Sequence, residues 1–401
     1  MSEWRNCKLG DVVTIVDCEH KTASLVNKSE YISVRTSNIS NGKIDFDKSN
    51  RVSKDTYDEW TRRLQPQEND IILAREAPVG EVGWIPFGKK VCLGQRTVLI
   101  RVKDEVIEPK YLLYYLVSDE VKFDLISRST GSVVEHLNVK DIRGFELNIH
   151  SNLFEQKAIA SILSSLDDKI DLLHRQNTTL EAMAETLFRQ WFVEEAKEEW
   201  EDGKLEQLVS CINGVSYKSE DLNPSQTAMV TLKSFDRTGG FKIDGFKQFT
   251  GKYKPHHVVR EGDLVVAHTD ITQDAEVIGN PVLVISDPRF DILVISMDLV
   301  KVVPKHPHIS NAFLYLLMKA REFKEHCLGH SNGSTVLHLS KKAIPSFELK
   351  IPPIERIVDF TKIVKPLIDK QYKNQTQIRT LSSLRDTVLP KLMSGELKVN
   401  V

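Results

Sequence analysis

Apolar residues step along the middle of the chain at alternating spacings of four and three: Ile159, Leu163, Leu166, Ile170, Leu173, Asn177, Leu180, Ala184, Leu187 and Trp191. That is the a/d seam of a coiled coil with one Asn set into it. Asn152 followed by Glu155 forms a plausible capping pair at its start. Taken as continuous from Glu155 to Val193, the helix would be a rod of roughly 58 Å. A second seam, Phe360, Val364, Leu367, Ile378, Leu381, Val388 and Leu392, also carries Gln371, Asn374 and Arg385. Pro366 is expected to kink or restart that helix. Two long helices, each apolar on one stripe, most simply bury each other. Leu163, Leu166, Ile170, Leu180, Leu187, Leu367, Leu381 and Leu392 are the candidate contacts for this pairing and for docking a partner.

Elsewhere the pattern shortens to β-rich runs bounded by Gly, Pro, Asn and Asp, such as Thr97 to Val102 and Pro281 to Ser286. One helical stretch stands in each half, Lys110 to Phe123 and Asn311 to Lys324. The halves also share text. Gly131-Ser132-Val133-Val134-Glu135-His136-Leu137 returns as Gly333-Ser334-Thr335-Val336-Leu337-His338-Leu339, and Phe145-Glu146-Leu147 as Phe347-Glu348-Leu349. Trp4 pairs with Trp200, Lys8-Leu9 with Lys204-Leu205, Lys43-Ile44-Asp45 with Lys242-Ile243-Asp244, and Asp70 to Ala74 with Asp263 to Ala267. The chain therefore reads as two copies of one unit of about 200 residues. The expected fold class is α+β: two pseudo-twofold-related mixed α/β domains separated by two long antiparallel helices that form a coiled coil. The expected division is 1–150, 151–197, 198–350 and 351–401.

Composition narrows the class. The 401 residues hold 54 Lys+Arg and 56 Asp+Glu, a formal charge of -2, which excludes a uniformly basic polyanion binder. Residues 151–202 are net acidic and 351–401 net basic, which supports their pairing. Five cysteines, Cys7, Cys18, Cys92, Cys211 and Cys327, form no C-x-x-C pair, so a reducing, cytoplasmic setting is expected. The start has no signal-like run, and no apolar run approaches the length of a membrane helix.

Catalytic signatures do not emerge. Gly83 to Lys89 spells G-x4-G-K, but the next residue is Lys90 rather than Ser or Thr, and the flanks look like strands. His326, Cys327 and His330 could be a partial metal set, but they have no fourth ligand and no counterpart in the first copy, so a surface helix end is the preferred reading. No nucleophile is paired with a base at a persuasive spacing. What remains is a non-catalytic protein with two diverged recognition units on a spacer, a design suited to two separated half-sites.

On these features the whole chain resembles the specificity subunit of type I restriction-modification systems. The matching text includes Leu73 to Gly83 with Leu93 to Val98, Ala267 to Pro281, the G-S-x-V-x-H-L pair, and the endings Thr179 to Phe192 and Thr380 to Leu397. The resemblance implies two target recognition domains alternating with two helical regions. It also implies a two-part asymmetric DNA target with a spacer, and docking of two methyltransferase subunits to which restriction subunits join. S-adenosylmethionine, ATP and Mg would be used by those partners, with no cofactor or metal in this chain and no membrane partner.

Lys and Arg must meet phosphates, and donors and acceptors must meet base edges. The candidate DNA-binding residues of the first domain are Arg35, Arg75, Arg96, Arg128, Ser129, Thr130, Ser132 and His136. Those of the second are Lys233, His268, Thr269, Asp270, Ser331, Asn332, Ser334 and His338. Arg75 and Arg96 stand out because Arg offers guanine a bidentate fork, although Arg75-Glu76 is also readable as a local ion pair. His136 and His338, recurring in both copies, are readable as shared structural or phosphate-contact residues. The near-neutral domains imply weak DNA affinity until partners close around the duplex. A coiled-coil scaffold with two protein-binding α/β domains is the alternative.

Overall fold

The computed structural model describes residues 3–103, 106–129, 135–236, 240–272, 274–333 and 336–399. The chain forms two compact units, Met1–Leu172 with Gln377–Val401, and Leu173–Thr376.

In the first unit, four antiparallel strands lie in the order Val13–Asp17, Thr97–Val102, Ile71–Ala74, Val82–Trp84. The strand Ile71–Ala74 is buried throughout, and its two faces go to different partners, because side chains alternate along a strand. Ile71 and Leu73, with Val98 and Ile100, pack on the helix Pro109–Val117 and on Leu163, Leu389 and Leu392 of the long helices. Ile72 and Ala74, with Leu99, pack instead on Ile32, Val34, Val91 and Leu93. The latter belong to a smaller sheet in which Tyr31–Val34 runs parallel to Lys90–Leu93. The continuous apolar runs of the sequence are thus strands covered on both sides. Trp4–Lys8 pairs antiparallel with Glu146–His150 and brings the two ends of the domain together.

The second unit repeats this plan. Its main sheet has the order Val209–Asn213, Leu299–Pro304, Leu264–Ala267, Pro281–Leu283. Leu264 and Val266 face the helix Asn311–Lys319, whereas Val265 and Ala267 face Ala228, Val230, Leu293 and Ile295. Thr227–Val230 again runs parallel to Ile292–Ile295. Glu201–Lys204 pairs with Glu348–Ile351. Backbone bonds coincide as well: Leu9 N donates to Phe145 O at 2.8 Å, and Leu205 N to Phe347 O at 2.9 Å. The mixed α/β class and the internal duplication are therefore as the sequence predicts.

Two long helices, Leu153–Arg189 and Ile354–Met393, each give a segment to both units. Inside the second unit the seam positions Asn177, Gln371 and Asn374 meet. Asn374 Nδ2 donates to Asn177 Oδ1 at 2.9 Å, and Gln371 Nε2 to the Asn177 carbonyl at 3.0 Å. Inside the first, Arg385 Nη1 reaches Asp167 Oδ1 at 2.9 Å, and Tyr114 donates to Asp167 Oδ2 at 2.8 Å. The polar residues on the seams thus answer one another and fix register. Leu163, Ile170 and Leu392 are buried, while Leu166, Leu180, Leu187, Leu367 and Leu381 are half-buried. Phe188, off the heptad, is buried against Phe313 and Phe360, because each helix serves the α/β domain as well as its neighbour and needs a wider stripe.

Three expectations change. Pro366 neither breaks nor restarts its helix; it lies on the exposed face, where water can satisfy the carbonyl it frees, while Val364 and Ile368 stay buried. The stretch Lys110–Phe123 is two helices, Pro109–Val117 and Asp119–Ser127, and Asn311–Lys324 likewise becomes Asn311–Lys319 and Arg321–Gly329. Ser118 and Ala320 take extended ψ at the bends, which turns Val121 and Leu125, or Phe323 and Cys327, into the core. The capping pair is half formed: Phe154 N donates to Asn152 Oδ1 at 2.9 Å, but Glu155 lies 3.3 Å from His150 Nδ1. Among the described residues no helix is long and apolar enough to cross a membrane.

Candidate functional site

The antiparallel register places the ends of Val13–Asp17 and Ile71–Ala74 beside the starts of Thr97–Val102 and Val82–Trp84, on one rim of the sheet. The residues that follow these strands converge there. Arg75 is 6% exposed, and each of its nitrogens faces an acceptor. Nε donates to Leu137 O at 2.9 Å, Nη1 to both Asp17 oxygens at 2.7 and 2.8 Å, and Nη2 lies 2.8 Å from His136 Nε2. An arginine can only donate, so His136 Nε2 accepts and its Nδ1–H donates to Glu76 Oε1 at 2.7 Å. The other Glu76 oxygen holds Arg96 Nε at 2.8 Å. The chain Asp17, Arg75, His136, Glu76, Arg96 thus alternates donor and acceptor across the rim.

Arg75 is paired with Asp17 rather than with its neighbour Glu76, and its fork is engaged inside the protein. Arg96 differs, with a side chain 57% exposed and a φ of +66°, in the left-handed region. Arg35 is exposed on the same rim, and its aliphatic stem lies over Gly94, whose Cβ would sit 3.0 Å from Arg35 Cγ and 2.6 Å from Val34 O. Thr36 Oγ1 donates to Ala77 O at 3.2 Å and joins this edge to the loop after Arg75. Arg128 pairs with Asp124 at 3.0 Å and stacks 4.8 Å from the Phe145 ring. Ser129 donates to Ile126 O, so this pair completes a helix end. Thr130 and Ser132 lie outside the described residues. Sequence reasoning missed Asp17 and, beside it, Arg63, which donates to Asp17 O at 2.7 Å. Only the fold brings Asp17 to Arg75.

In the second unit Thr269–Asp270, Leu337–Leu339 and Ser331–Asn332 make a three-stranded ribbon, with Thr269 opposite His338 and Asn332 on its other side. Five of the candidates are therefore brought together. His338 and Asn332 are exposed, but Thr269 and Asp270 are buried. Asp270 is a loop anchor: it accepts from Thr272 N and Oγ1, Val277 N and Ile278 N at 2.6–2.7 Å. Burial raises its carboxyl and these bonds lower it, with a net fall below the ordinary value. Burial, with His338 and Lys341 adding like charge and Asp298 opposing, holds the His268 imidazole below its ordinary range. Ser331 Oγ donates to Leu328 O at 2.8 Å. Lys233 is exposed on the turn after Thr227–Val230. Ser334 lies outside the described residues.

Backbone bonds align the two rims residue by residue. Leu137 N donates to Arg75 O at 3.0 Å and Leu339 N to His268 O at 2.8 Å; Arg75 N donates to Arg96 O and His268 N to Asp298 O, both at 2.8 Å. Val98 faces Asp17 as Val300 faces Asn213. His268 therefore stands where Arg75 does, Asp298 where Arg96 does, and Asn213 where Asp17 does. A lysine at one helical register grips the loop behind each rim, a role the sequence did not suggest. Lys122 holds Glu81, and Lys324 Nζ donates to Ala275, Glu276 and Ile278 carbonyls and to Asn280 Oδ1 at 2.6–3.3 Å. Among the described residues no three His, Cys, Asp or Glu side chains cluster as a metal site. His326 instead donates through Nε2 toward Ala343 O at 2.9 Å, and its ring stacks on His330.

The family model described as the type I restriction modification DNA specificity domain matches twice, over residues 1–182 and 197–380. The type I restriction enzyme MjaIX specificity subunit of Methanocaldococcus jannaschii is 24% identical over 377 residues, covering 87% of this chain and 82% of its own. The HindI specificity subunit of Haemophilus influenzae is 23% identical over 467 residues, covering 99% of this chain and 100% of its own. The crystal structure of a type I restriction-modification S subunit from M. genitalium shares the fold, with a TM-score of 0.63 and 18% identity over 97% of this chain and 96% of that one.

Proposed function

Because the chain belongs to the family of the type I restriction modification DNA specificity domain, we propose that it reads a two-part, asymmetric DNA target for a type I restriction-modification complex, one half at each rim. The observation that carries this is the pairing of like framework with unlike chemistry. Matched backbone bonds hold Arg75, Arg96 and Asp17 in one copy and His268, Asp298 and Asn213 in the other. The exposed guanidinium of Arg96 stands at the first rim where the carboxylate of Asp298 stands at the second. Identical rims would call for identical half-sites; these call for different ones.

On this reading residues 1–150 and 198–350 are the two target recognition domains. The helical segments 151–197 and 351–401 dock two methyltransferase subunits, and restriction subunits join that core. Methyl transfer and ATP-driven steps belong to the partners, while this chain supplies the address. Its near-neutral charge fits a reader that shares phosphate contact with those partners.

Co-expression with the cognate methyltransferase, followed by mapping of modified adenines, is the test. Replacing residues 198–350 by the corresponding domain of another family member is expected to change one half of the motif and keep the other. A change in both halves, or no defined motif at all, refutes the assignment.

A further inference from the structure

We propose that Arg96 reads a guanine in the half-site met by residues 1–150, and that Glu76, His136 and Arg75 are positioning residues that present it. This rests on the DNA-facing rim proposed above and names a residue and a base within it.

The geometry separates the two arginines. Arg75, with a side chain 7% exposed, already points its three nitrogens at Asp17, Leu137 O and His136, so no fork remains to offer a base. Arg96 has the opposite arrangement. Its Nε lies 2.8 Å from Glu76 Oε2 in an ion pair that keeps the guanidinium beside that carboxylate, while its two terminal nitrogens make no hydrogen bond among the described residues. Those nitrogens form the edge that matches guanine O6 and N7 with two parallel hydrogen bonds.

The support behind this edge is directional. Arg75 donates to His136, His136 donates to one oxygen of Glu76, and the other oxygen is left for Arg96. Glu76 is itself only 17% exposed, so its carboxylate is not free to follow a wandering partner. The backbone contributes as well. Arg96 occupies a left-handed conformation that a residue with a Cβ ordinarily avoids, and its carbonyl is tied to Arg75 N at 2.8 Å. A long side chain fixed in this way loses less freedom when it meets its ligand. In the second copy the matching position is Asp298, an acceptor that cannot face the acceptor edge of guanine, so the same framework does not read guanine there.

The test uses the full chain co-expressed with its methyltransferase subunits, with duplexes altered one base pair at a time and the rate of adenine methylation measured for each. The domain exchange described above identifies which half belongs to residues 1–150. Wild type is expected to require guanine at one position of that half. R96K, which keeps the charge and loses the fork, and R96Q are each expected to cut discrimination at that position ~10- to 100-fold, leaving the other positions and the second half intact. E76Q is expected to relax the same position by a smaller factor. The proposal is overturned if the half-site contains no guanine. It is also overturned if R96K and R96Q leave every preference unchanged, or weaken all sequences alike as a phosphate contact does. A wild-type complex that modifies no defined motif overturns the specificity reading itself, and this proposal with it.

Discussion

Asn374 is fully buried between the long helices, and its amide depends on a single good partner, Asn177 Oδ1 at 2.9 Å; the alternative, Gln176 Oε1, is at 3.4 Å, and its own Oδ1 has none among the described residues. Replacing Asn177 by Leu removes that partner and strands a buried N–H2 group. Desolvation without compensation costs about 1–3 kcal/mol, a factor of roughly 5 to 150 in the folding equilibrium. Replacing Asn374 instead leaves Asn177 half-exposed, where water can take over, and removes an oxygen that was unsatisfied. N374L is therefore expected to be near neutral, and N177L/N374L to return to within about 1 kcal/mol of wild type, since two apolar groups of similar volume replace both amides. The coupling between the sites is then about 2 kcal/mol. Urea unfolding followed by the fluorescence of Trp191 and Trp200, which belong to the same unit, measures all four corners of the cycle. Strictly additive effects, or an N177L no less stable than wild type, would refute this account of the seam.

Arg75→Met strips donors from Asp17, Leu137 O and His136 at once and is expected to cost about 3–5 kcal/mol in urea unfolding, because a buried pair loses one member; a cost below about 1 kcal/mol would mean the chain of contacts carries no stability. His268 titrates below its ordinary value near 6.5, so the unfolded chain binds more protons at pH values under 6.5 and stability falls as the pH drops through that window. H268Q is expected to show a smaller difference in urea midpoint between about pH 7.5 and about pH 5.5 than wild type, and an equal difference would count against the burial of that imidazole.

The sequence did not display the sheet order, but it displayed the duplication and the seams plainly, since both are patterns that survive reading in one dimension. Thr97 to Val102 is a strand over its whole predicted length. The roles of Arg75 and Arg96 were not separable there, because the partners that distinguish them, Asp17 and His136, are 58 and 61 residues from Arg75. The bends at Ser118 and Ala320 were hidden for a different reason: Ala320 carries no cap signal, and the break comes from the need of Phe323 and Cys327 to reach the core. Pro366 misled because a proline's effect depends on which face it occupies.

The two loop-gripping lysines have a consequence for how such a chain can change over generations. Lys324 holds its loop mainly through peptide carbonyls, which every residue possesses, so the codons for Ala275, Glu276 and Ile278 can be rewritten without loosening the hold. Lys122 holds its loop through the Glu81 side chain, so its whole grip depends on one codon, whereas Lys324 would lose only its bond to Asn280 Oδ1 if that codon changed. The loop held by Lys324 is thus the more freely editable of the two, and changes of sequence have fewer structural obstacles to arising there.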